Sequence, residues 1–600
     1  MFQVEQQAIA EKIKTFCVAH GIPLAALEWK PIPFEGEWGF STSFFATAAL
    51  EARTGRKGFV PLRAQEIAGQ VKEAVQDVPG ISHVEAVKGY LNLFFETAEY
   101  ARRVVDTILE QKNRFGSGPA TGQRVMIEFS QPNTHKAFHV GHLRSAILGD
   151  ALARIIEFAG YKVVRANYPG DMGLHVIKWL WAYLKYHAGE QPGADITEWM
   201  GRVYAQASRR LEENPELESE VRAVYARWDK RDPEIVALWQ KTRQWSLVGF
   251  QQMYAALDIR FDKYYFNSEE EQAGKQIVEE LVKRDIATDE RPRGGAVVVK
   301  IDELLGLKKE QYRTTVILRS DGTALYSTED LALVLHKFRD YPDLSRSVYV
   351  VDVRQSLHFT QVFKIMEIAG YEQAKKCVHV AYELVTLPGN VVVSSREGTV
   401  VLLEDLLREA VARAREEASW RNPSLSGEQL DAVAKAVGLG ALKYPIVARE
   451  NTKLVTFDWK AALDFNGQAA PYIQYAHVRC NSIIKKSKAE SSKSESRSFE
   501  DAQERPADFT YDLHAAEIQL IDLISRFPAE VQRAAAEYKP LIIANSAYDI
   551  AKAFAGFYDT CPVVHAEPQV REARLRLVAA TKYTLANALA LLGITAPEVM

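Results

Sequence analysis

The chain has 600 residues, 47% hydrophobic and 25% charged, with a net charge of −4. That length outgrows one hydrophobic core and implies about three or four domains of ordinary globular composition. The charge argues against a protein coated in nucleic acid without excluding a local basic face, and no run of about 18 apolar residues offers a membrane span.

In chain order, MFQVEQQAIAEKIKTF opens as a charged amphipathic helix over 3–20, unlike the apolar core of a signal peptide. A short run, FVPLRA, and a helix near 66–77 follow. ISHVEAVKGYLNLFFE then alternates like two strands with a turn at Lys88-Gly89. FGSGPATGQ (115–123) is a Gly-rich linker. RVMIEFS, the helix LRSAILGDALARIIEFAG and YKVVRANY have the strand–helix–strand order of a parallel sheet.

From 185 to 260 the pattern is helical and heavily charged. Strands are expected again at GGAVVVKID, TTVILRS, ALYST and RSVYVVDV, so the sheet is split in sequence. Beyond LVTLPGNVVVSSREGTVVLL the chain reads as helical to its end, interrupted at 485–506 by a Ser/Lys/Glu-rich stretch expected to be a mobile loop. The cysteines (Cys17, Cys377, Cys480, Cys561) lie far apart, without a CxxC pair. That spacing argues against a ribbon-type zinc site or a dense disulfide framework and fits a reducing cytoplasm.

The expected fold class is therefore α/β. A small α+β domain (1–115) precedes a Rossmann-like parallel-sheet domain (116–405) with a helical insertion near 185–310. A helical connection (406–468) leads to an all-α domain (469–600).

The stretch SQPNTHKAFHVGHLRSAILGD (130–150) carries the chemistry. HVGH (139–142) falls where a strand has ended and a helix begins, so free backbone N–H groups and the helix dipole favour an anion there. Gly141 lets a flat ring approach the backbone, and His139 and His142 share the first helical turn. Lys136 and Arg144 add fixed positive charge. A pair of zinc ligands or satisfied structural histidines are the competing readings; no nearby Cys, Asp or Glu offers an obvious third zinc ligand.

EFSQPNTHKAFHVGHLRS resembles the HIGH-type signature of class I aminoacyl-tRNA synthetases, and of the arginyl-tRNA synthetases in particular. NYPGDMGLHV, ALYSTEDLALVLHKF, VYVVDVRQSLHFTQVF, SSREGTVVLLEDLL, GLGALKY, LDFNGQAAPYIQYAHVR and LLGITAPEVM are similar to further blocks of that family, in the same order. The resemblance implies ATP-dependent activation of L-arginine to arginyl-adenylate, then transfer to the 2′-OH of the terminal adenosine of tRNA(Arg).

Residue by residue, it implies that His139, Gly141 and His142 serve ATP, with Ser394, Ser395 and Arg396 in the second, KMSKS-type loop. Val392 and Ser395 occupy the two lysine positions of that loop, so its ammonium groups are missing. The family shows this departure with a lysine just upstream of the first signature, and Lys136 holds that place. Charge supplied from either side stabilises a triphosphate. Glu128, Asn133, Tyr326, Asp330 and Gln355 are the implied arginine contacts, with Tyr326 and Asp330 on one helical face. In FDKYYFNSEEEQ, Asn267 stands where a second acid is expected, and Glu269 is a possible substitute.

For tRNA, the resemblance implies a D-loop contact by the N-terminal domain, with Asn92 and Phe95 as candidates. It implies anticodon contact by the C-terminal helices, with Tyr472, Tyr475 and Arg479 as candidates. Mg²⁺ is expected with ATP, no zinc is expected, and the family suggests a cytoplasmic monomer. Two other readings are a class I enzyme with another substrate and a noncatalytic tRNA-binding relative. The Tyr326/Asp330 pair and the intact HVGH with Lys136 argue against them.

Overall fold

The computed structural model describes residues 3–54, 58–138, 140–387, 391–392, 402–491 and 509–600. It divides into two compact units. One comprises 1–115, 476–528 and 549–587; the other comprises 116–475, 529–548 and 588–600.

The first unit begins with α1 (Gln3–Ala19), β1 (Lys30–Pro31), β2 (Gly39–Ser43), α2 (Phe45–Arg53), α3 (Val60–Ala74), β3 (Ile81–Val87), β4 (Tyr90–Phe95) and α4 (Thr97–Gln111). Its antiparallel sheet has the order β1-β2-β4-β3. FVPLRA is the first turn of α3, where Pro61 has no intrahelical N–H bond to lose. The β3–β4 turn falls at Lys88 (φ 48°) and Gly89 (φ 87°), two left-handed residues in succession, as a tight hairpin of matching twist requires. Along β4, Leu91, Leu93 and Phe95 are buried, while Tyr90, Asn92 and Phe94 share the opposite face.

The second unit opens with β5 (Arg124–Glu128), α5 (Val140–Phe158) and β6 (Lys162–Asn167). The helical arm follows as α6 (Leu174–Tyr186), α7 (Ile196–Glu213), α8 (Glu218–Asp229) and α9 (Pro233–Ala256). It closes on its own core of Trp179, Trp181, Tyr183, Met200, Trp228 and Trp239, so a heavily charged segment still buries an apolar face. Next come β7 (Lys263–Tyr264), α10 (Asn267–Lys283), β8 (Thr288–Asp289), β9 (Val297–Lys300), α11 (Ile301–Leu304) and β10 (Thr314–Leu318). The chain continues through α12 (Tyr326–Asp340), β11 (Leu344–Asp352), α13 (Ser356–Ile368) and β12 (Cys377–Tyr382).

The main sheet has the order β12-β11-β5-β6-β7 with every pair parallel. Chain order runs outward from β5 through β6 to β7, then returns to β11 on the other side. The C-terminal edge between β5 and β11 is therefore the switch point at which such sheets bind ligands.

Two expectations about strands change. GGAVVVKID and TTVILRS do not enter this sheet; β8, β9 and β10 form a separate antiparallel one. ALYST is not a strand, because Tyr326 begins α12.

The unit continues with β13 (Val385–Leu387), β14 (Val391–Val392), α14 (Leu403–Arg421), α15 (Gly427–Val447), β15 (Val455–Thr456) and α16 (Trp459–Ala462). The last helices are α17 (Ala470–Ser491), α18 (Ala515–Glu537), α19 (Pro540–Thr560) and α20 (Pro568–Leu591). Residues 485–491 of the expected loop are helical, so Lys485, Lys486 and Lys488 lie on α17; the remainder of that loop lies outside the described residues.

Within the first unit, C-terminal helices meet the N-terminal elements through polar contacts. Trp38 Nε1 donates to Asp522 at 3.1 Å, Arg576 pairs with Asp106 at 2.8 Å, and Asn587 Nδ2 donates to the Lys112 carbonyl at 2.9 Å. In the second unit, the buried Lys443 Nζ donates to the Gly593 carbonyl at 2.6 Å, fixing the chain's last residues. Among the described residues, no helix is long and apolar enough to cross a membrane.

Candidate active site

The loop after β5 departs from ordinary backbone geometry. Ser130, Gln131 and His135 all have positive φ (76°, 44° and 61°), conformations that side chains other than glycine seldom take. Such strain persists only where surroundings over-determine it. Here His135 is sealed, with Thr134 Oγ1 at 2.9 Å and Thr242 Oγ1 at 2.8 Å from its two ring nitrogens. Burial holds its imidazole well below the ordinary histidine range, so this third histidine of the crowded stretch is structural.

Asn133 bridges to Gly170 in parallel pairing. A Cβ at 170 would lie 2.3 Å from Asn133 Oδ1, so Gly170 supplies room that another residue would fill. Asn133 thus faces the NYPGDMG segment that continues from β6. Glu128, one of the implied arginine contacts, turns inward. It is 2% exposed, with Lys337 Nζ 2.5 Å from one oxygen and Gln131 Nε2 donating to the other at 2.8 Å. A buried lysine and carboxylate neutralise one another.

Gly141 and His142 occupy the first turn of α5, and His142 packs 5.1 Å from the Phe138 ring. His139 lies outside the described residues, as do Ser394, Ser395 and Arg396. Lys136 is half-buried, with Nζ 4.9 Å from the Tyr204 ring of α7. Its charge reaches His175, whose imidazole is pushed down to about 3 by burial and then by Lys136.

Arg144 is not part of an anion clamp. It is 1% exposed and donates to the carbonyls of Asn451 (2.8 Å) and Lys453 (3.1 Å), while burial brings it down to about 10. The two bonds from its Nη2 anchor α5 to the segment at 451–453.

The head of α12 provides the other wall. Tyr326, its first residue, is 67% exposed. Asp330, one turn on, accepts from His358 Nε2 of α13 at 2.6 Å. Gln355 is exposed, at the start of α13 and just beyond the end of β11. Asn267 is 5% exposed and donates to the Tyr168 hydroxyl at 2.8 Å and to Glu329. Glu269 is exposed, whereas Glu270 is buried against His336.

Burial and the fields of Asp330, Glu329, Glu270 and Glu128 hold the Tyr168 phenol well above its ordinary range, so four carboxyl groups converge near it. A cleft of about 570 Å³ opens here, lined by His175, Asn267, Ser268, Glu271, Tyr326 and Glu329 among others. Tyr168, Glu329 and His358 were not singled out from sequence. Glu329 and His358 stand inside the quoted motifs YSTED and QSLHF; the bond of His358 to Asp330 spans 28 positions and left no local signal.

Candidates farther from the cleft fall in different surroundings. Phe95 is 6% exposed and packs against Phe40 and Tyr100, so it belongs to the core; Phe94 shares the face of Asn92. Ser41 Oγ donates to Asn92 Oδ1 at 2.7 Å, and the Phe94 ring stacks on His83 at 4.4 Å. On α17, Tyr472 lies 5.5 Å from the Tyr548 ring and Tyr475 is 38% exposed. The Arg479 guanidinium stands 4.5 Å over Tyr558. Among the described residues, no group of three or more His, Cys, Asp or Glu is placed to hold a metal ion.

A parallel sheet with its signature loop and helix terminus at the switch point is the architecture of a class I tRNA synthetase. Residues 104–459 match the family model for class I tRNA synthetases (R), catalytic domain, and 473–600 match the DALR anticodon binding domain. The arginine–tRNA ligase of Bdellovibrio bacteriovorus is 35% identical, over 90% of this chain and 89% of its own. That of Chloroflexus aggregans is 36% identical over 87% of each. The Thermus thermophilus arginyl-tRNA synthetase structure superposes with a TM-score of 0.77 at 28% identity, covering 99% of this chain and 100% of that one. The chain belongs to the arginyl-tRNA synthetases, and the enzyme is an arginine–tRNA ligase that uses ATP.

Proposed function

We propose that arginine is activated where the loop 130–142 meets the head of α12, with these residues in distinct roles. The arginine carboxylate attacks the α-phosphorus of ATP, the bond to pyrophosphate breaks, and arginyl-adenylate forms. The 2′-OH of the terminal tRNA adenosine then takes the arginyl group and releases AMP. Little covalent chemistry falls to the protein in the first step, so positioning and electrostatic stabilisation dominate.

His139, Gly141 and His142 meet ATP at the head of α5, where the helix terminus favours the triphosphate. Lys136 supplies the cation that Val392 and Ser395 do not, with Ser394, Ser395 and Arg396 flanking the phosphates. The half-buried position of Lys136 and its electrostatic reach to His175 on the cleft wall support this reading. Mg²⁺ would arrive with ATP as part of the substrate and would offset the charge of the triphosphate. Asn133, Tyr326, Asp330 and Gln355 receive arginine, the carboxylate of Asp330 facing the guanidinium, which carboxylates match best.

The observation that carries this reading is the packing of Asn133 and Asn267 about Gly170, beside the cleft that Asn267 and the first turn of α12 line. For tRNA, the outer sheet face with Asn92 and Phe94 offers a hydrogen-bonding amide and a stacking ring. Tyr472, Tyr475 and Arg479 on α17 are the anticodon-side candidates. A cytoplasmic monomer fits this assignment, and the four free cysteines fit a reducing compartment.

ATP–pyrophosphate exchange tests the reading. Exchange is expected with arginine, and only when tRNA is present. Exchange driven by a different amino acid would contradict it.

A further inference from the structure

Four carboxyl groups gather around Tyr168, and three of them have a basic partner. Glu128 has Lys337, Glu270 has His336, and Asp330 has His358. Glu329 stands apart: among the described residues no cation lies within ion-pairing distance, and its contact is the neutral amide of Asn267. It also lines the open cleft beside Tyr326, whereas Asp330 bonds to His358 of α13.

We infer that Glu329 is a second arginine-recognising carboxylate, held in place by Asn267 and completing with Tyr326 and Asp330 the site for the guanidinium. This rests on the assignment of the cleft to arginine. A planar cation with five donors is best met by more than one carboxylate, and a desolvated carboxylate lacking a cation awaits one. Asn267 cannot supply that charge, but its amide donates to both Glu329 and Tyr168 and so fixes the orientation of the acid.

The surroundings agree. Burial, then Asp330, Glu271 and Asp171, raise the Glu329 carboxyl to about 8 against the lowering effect of Asn267. Tyr326 and Tyr168 also face it, and His175, Lys275 and Arg319 line the same cleft. A guanidinium docked beside Glu329 favours the ionised form, so arginine binding draws its proton off. Arginine recognition is thereby coupled to pH.

The test is tRNA-dependent ATP–pyrophosphate exchange of the full chain, with arginine varied from pH 6.5 to 9. Glu329→Gln is expected to raise the KM for arginine about ten- to a hundredfold. Its kcat should move less than about threefold and its KM for ATP less than about twofold. Glu329→Asp is expected to recover part of the loss. The wild-type KM for arginine falls as pH rises through about 8, and the Gln variant loses that dependence.

An unchanged arginine KM in Glu329→Gln, with a rise in Asp330→Asn, would overturn the role of Glu329 and leave the cleft assignment standing. No change in either variant would overturn both. An equal rise in the KM for ATP would indicate general damage and count against Glu329.

Discussion

His358 Nε2 lies 2.6 Å from Asp330 Oδ2, and because a carboxylate only accepts, the imidazole is the donor. Asp330 is on α12 and His358 on α13, so the bond ties together the two helices that flank β11. It leaves the other carboxylate oxygen of Asp330 for substrate. Asp330→Asn is expected to raise the KM for arginine about ten- to a hundredfold, and His358→Ala by less. The double variant should fall short of the product of the two effects, since both act through one carboxylate. Exchange kinetics with arginine varied measure all three.

Glu404, in the first turn of α14, accepts from Thr197 Oγ1 of α7 and has its second oxygen buried without a partner. Burial raises its carboxyl to about 7, above its value in an unfolded chain. The folded protein therefore holds this proton longer than the unfolded chain, and the stability linked to it is lost as pH rises through about 7. Glu404→Gln keeps an acceptor for Thr197 without the charge. The variant should match wild type near pH 5 and exceed it at pH 8 by up to about 3 kcal/mol, read by denaturant unfolding.

Gly149 lies on α5 where the helix crosses Phe129, and a Cβ there would stand 2.2 Å from the Phe129 Cβ. Gly149→Ala should cost about 1–3 kcal/mol by overpacking and lower the Tm. Gly170→Ala would instead displace Asn133 Oδ1, 2.3 Å away, and is expected to raise the KM for arginine more than it lowers the Tm.

Phe94 and Phe95 are adjacent but face opposite sides of β4. Phe95→Ala should cost about 3–5 kcal/mol of stability, as truncation of a buried ring does. Phe94→Ala should leave the Tm nearly unchanged and weaken tRNA binding by about 1–3 kcal/mol, the worth of one stacked base. Unfolding and tRNA titration of the two variants separate core from contact surface.

These neighbours show where sequence reasoning reaches and where it stops. The run RVMIEFS, the helix after HVGH and YKVVRANY were legible as β5, α5 and β6 because apolar periodicity and chain order both point to one βαβ unit. Alternation in YLNLFF showed that one face of β4 is buried, but the parity of Phe94 and Phe95 depends on where the strand's pairing ends.

Short apolar runs such as VVVK and TTVIL read alike in parallel and antiparallel sheets, so the separate sheet of β8, β9 and β10 was hidden. Arg144 looked like free positive charge because its acceptors, at 451 and 453, are some 300 positions away. The burial of Glu128 against Lys337 and the pairing of Asn267 with Glu329 depend on tertiary contacts of the same kind.

The loop 130–142 and the head of α12 are proposed to form one active site for arginine activation. The most direct measurement is tRNA-dependent ATP–pyrophosphate exchange by Lys136→Ala and Asp330→Asn, with tRNA affinity measured alongside. Lys136→Ala should lower kcat far more than it weakens tRNA binding and leave the arginine KM near wild type. Asp330→Asn should raise the arginine KM with little change in the KM for ATP. Wild-type exchange kinetics in both variants, or an equal loss of adenylation and tRNA binding in Lys136→Ala, would contradict it.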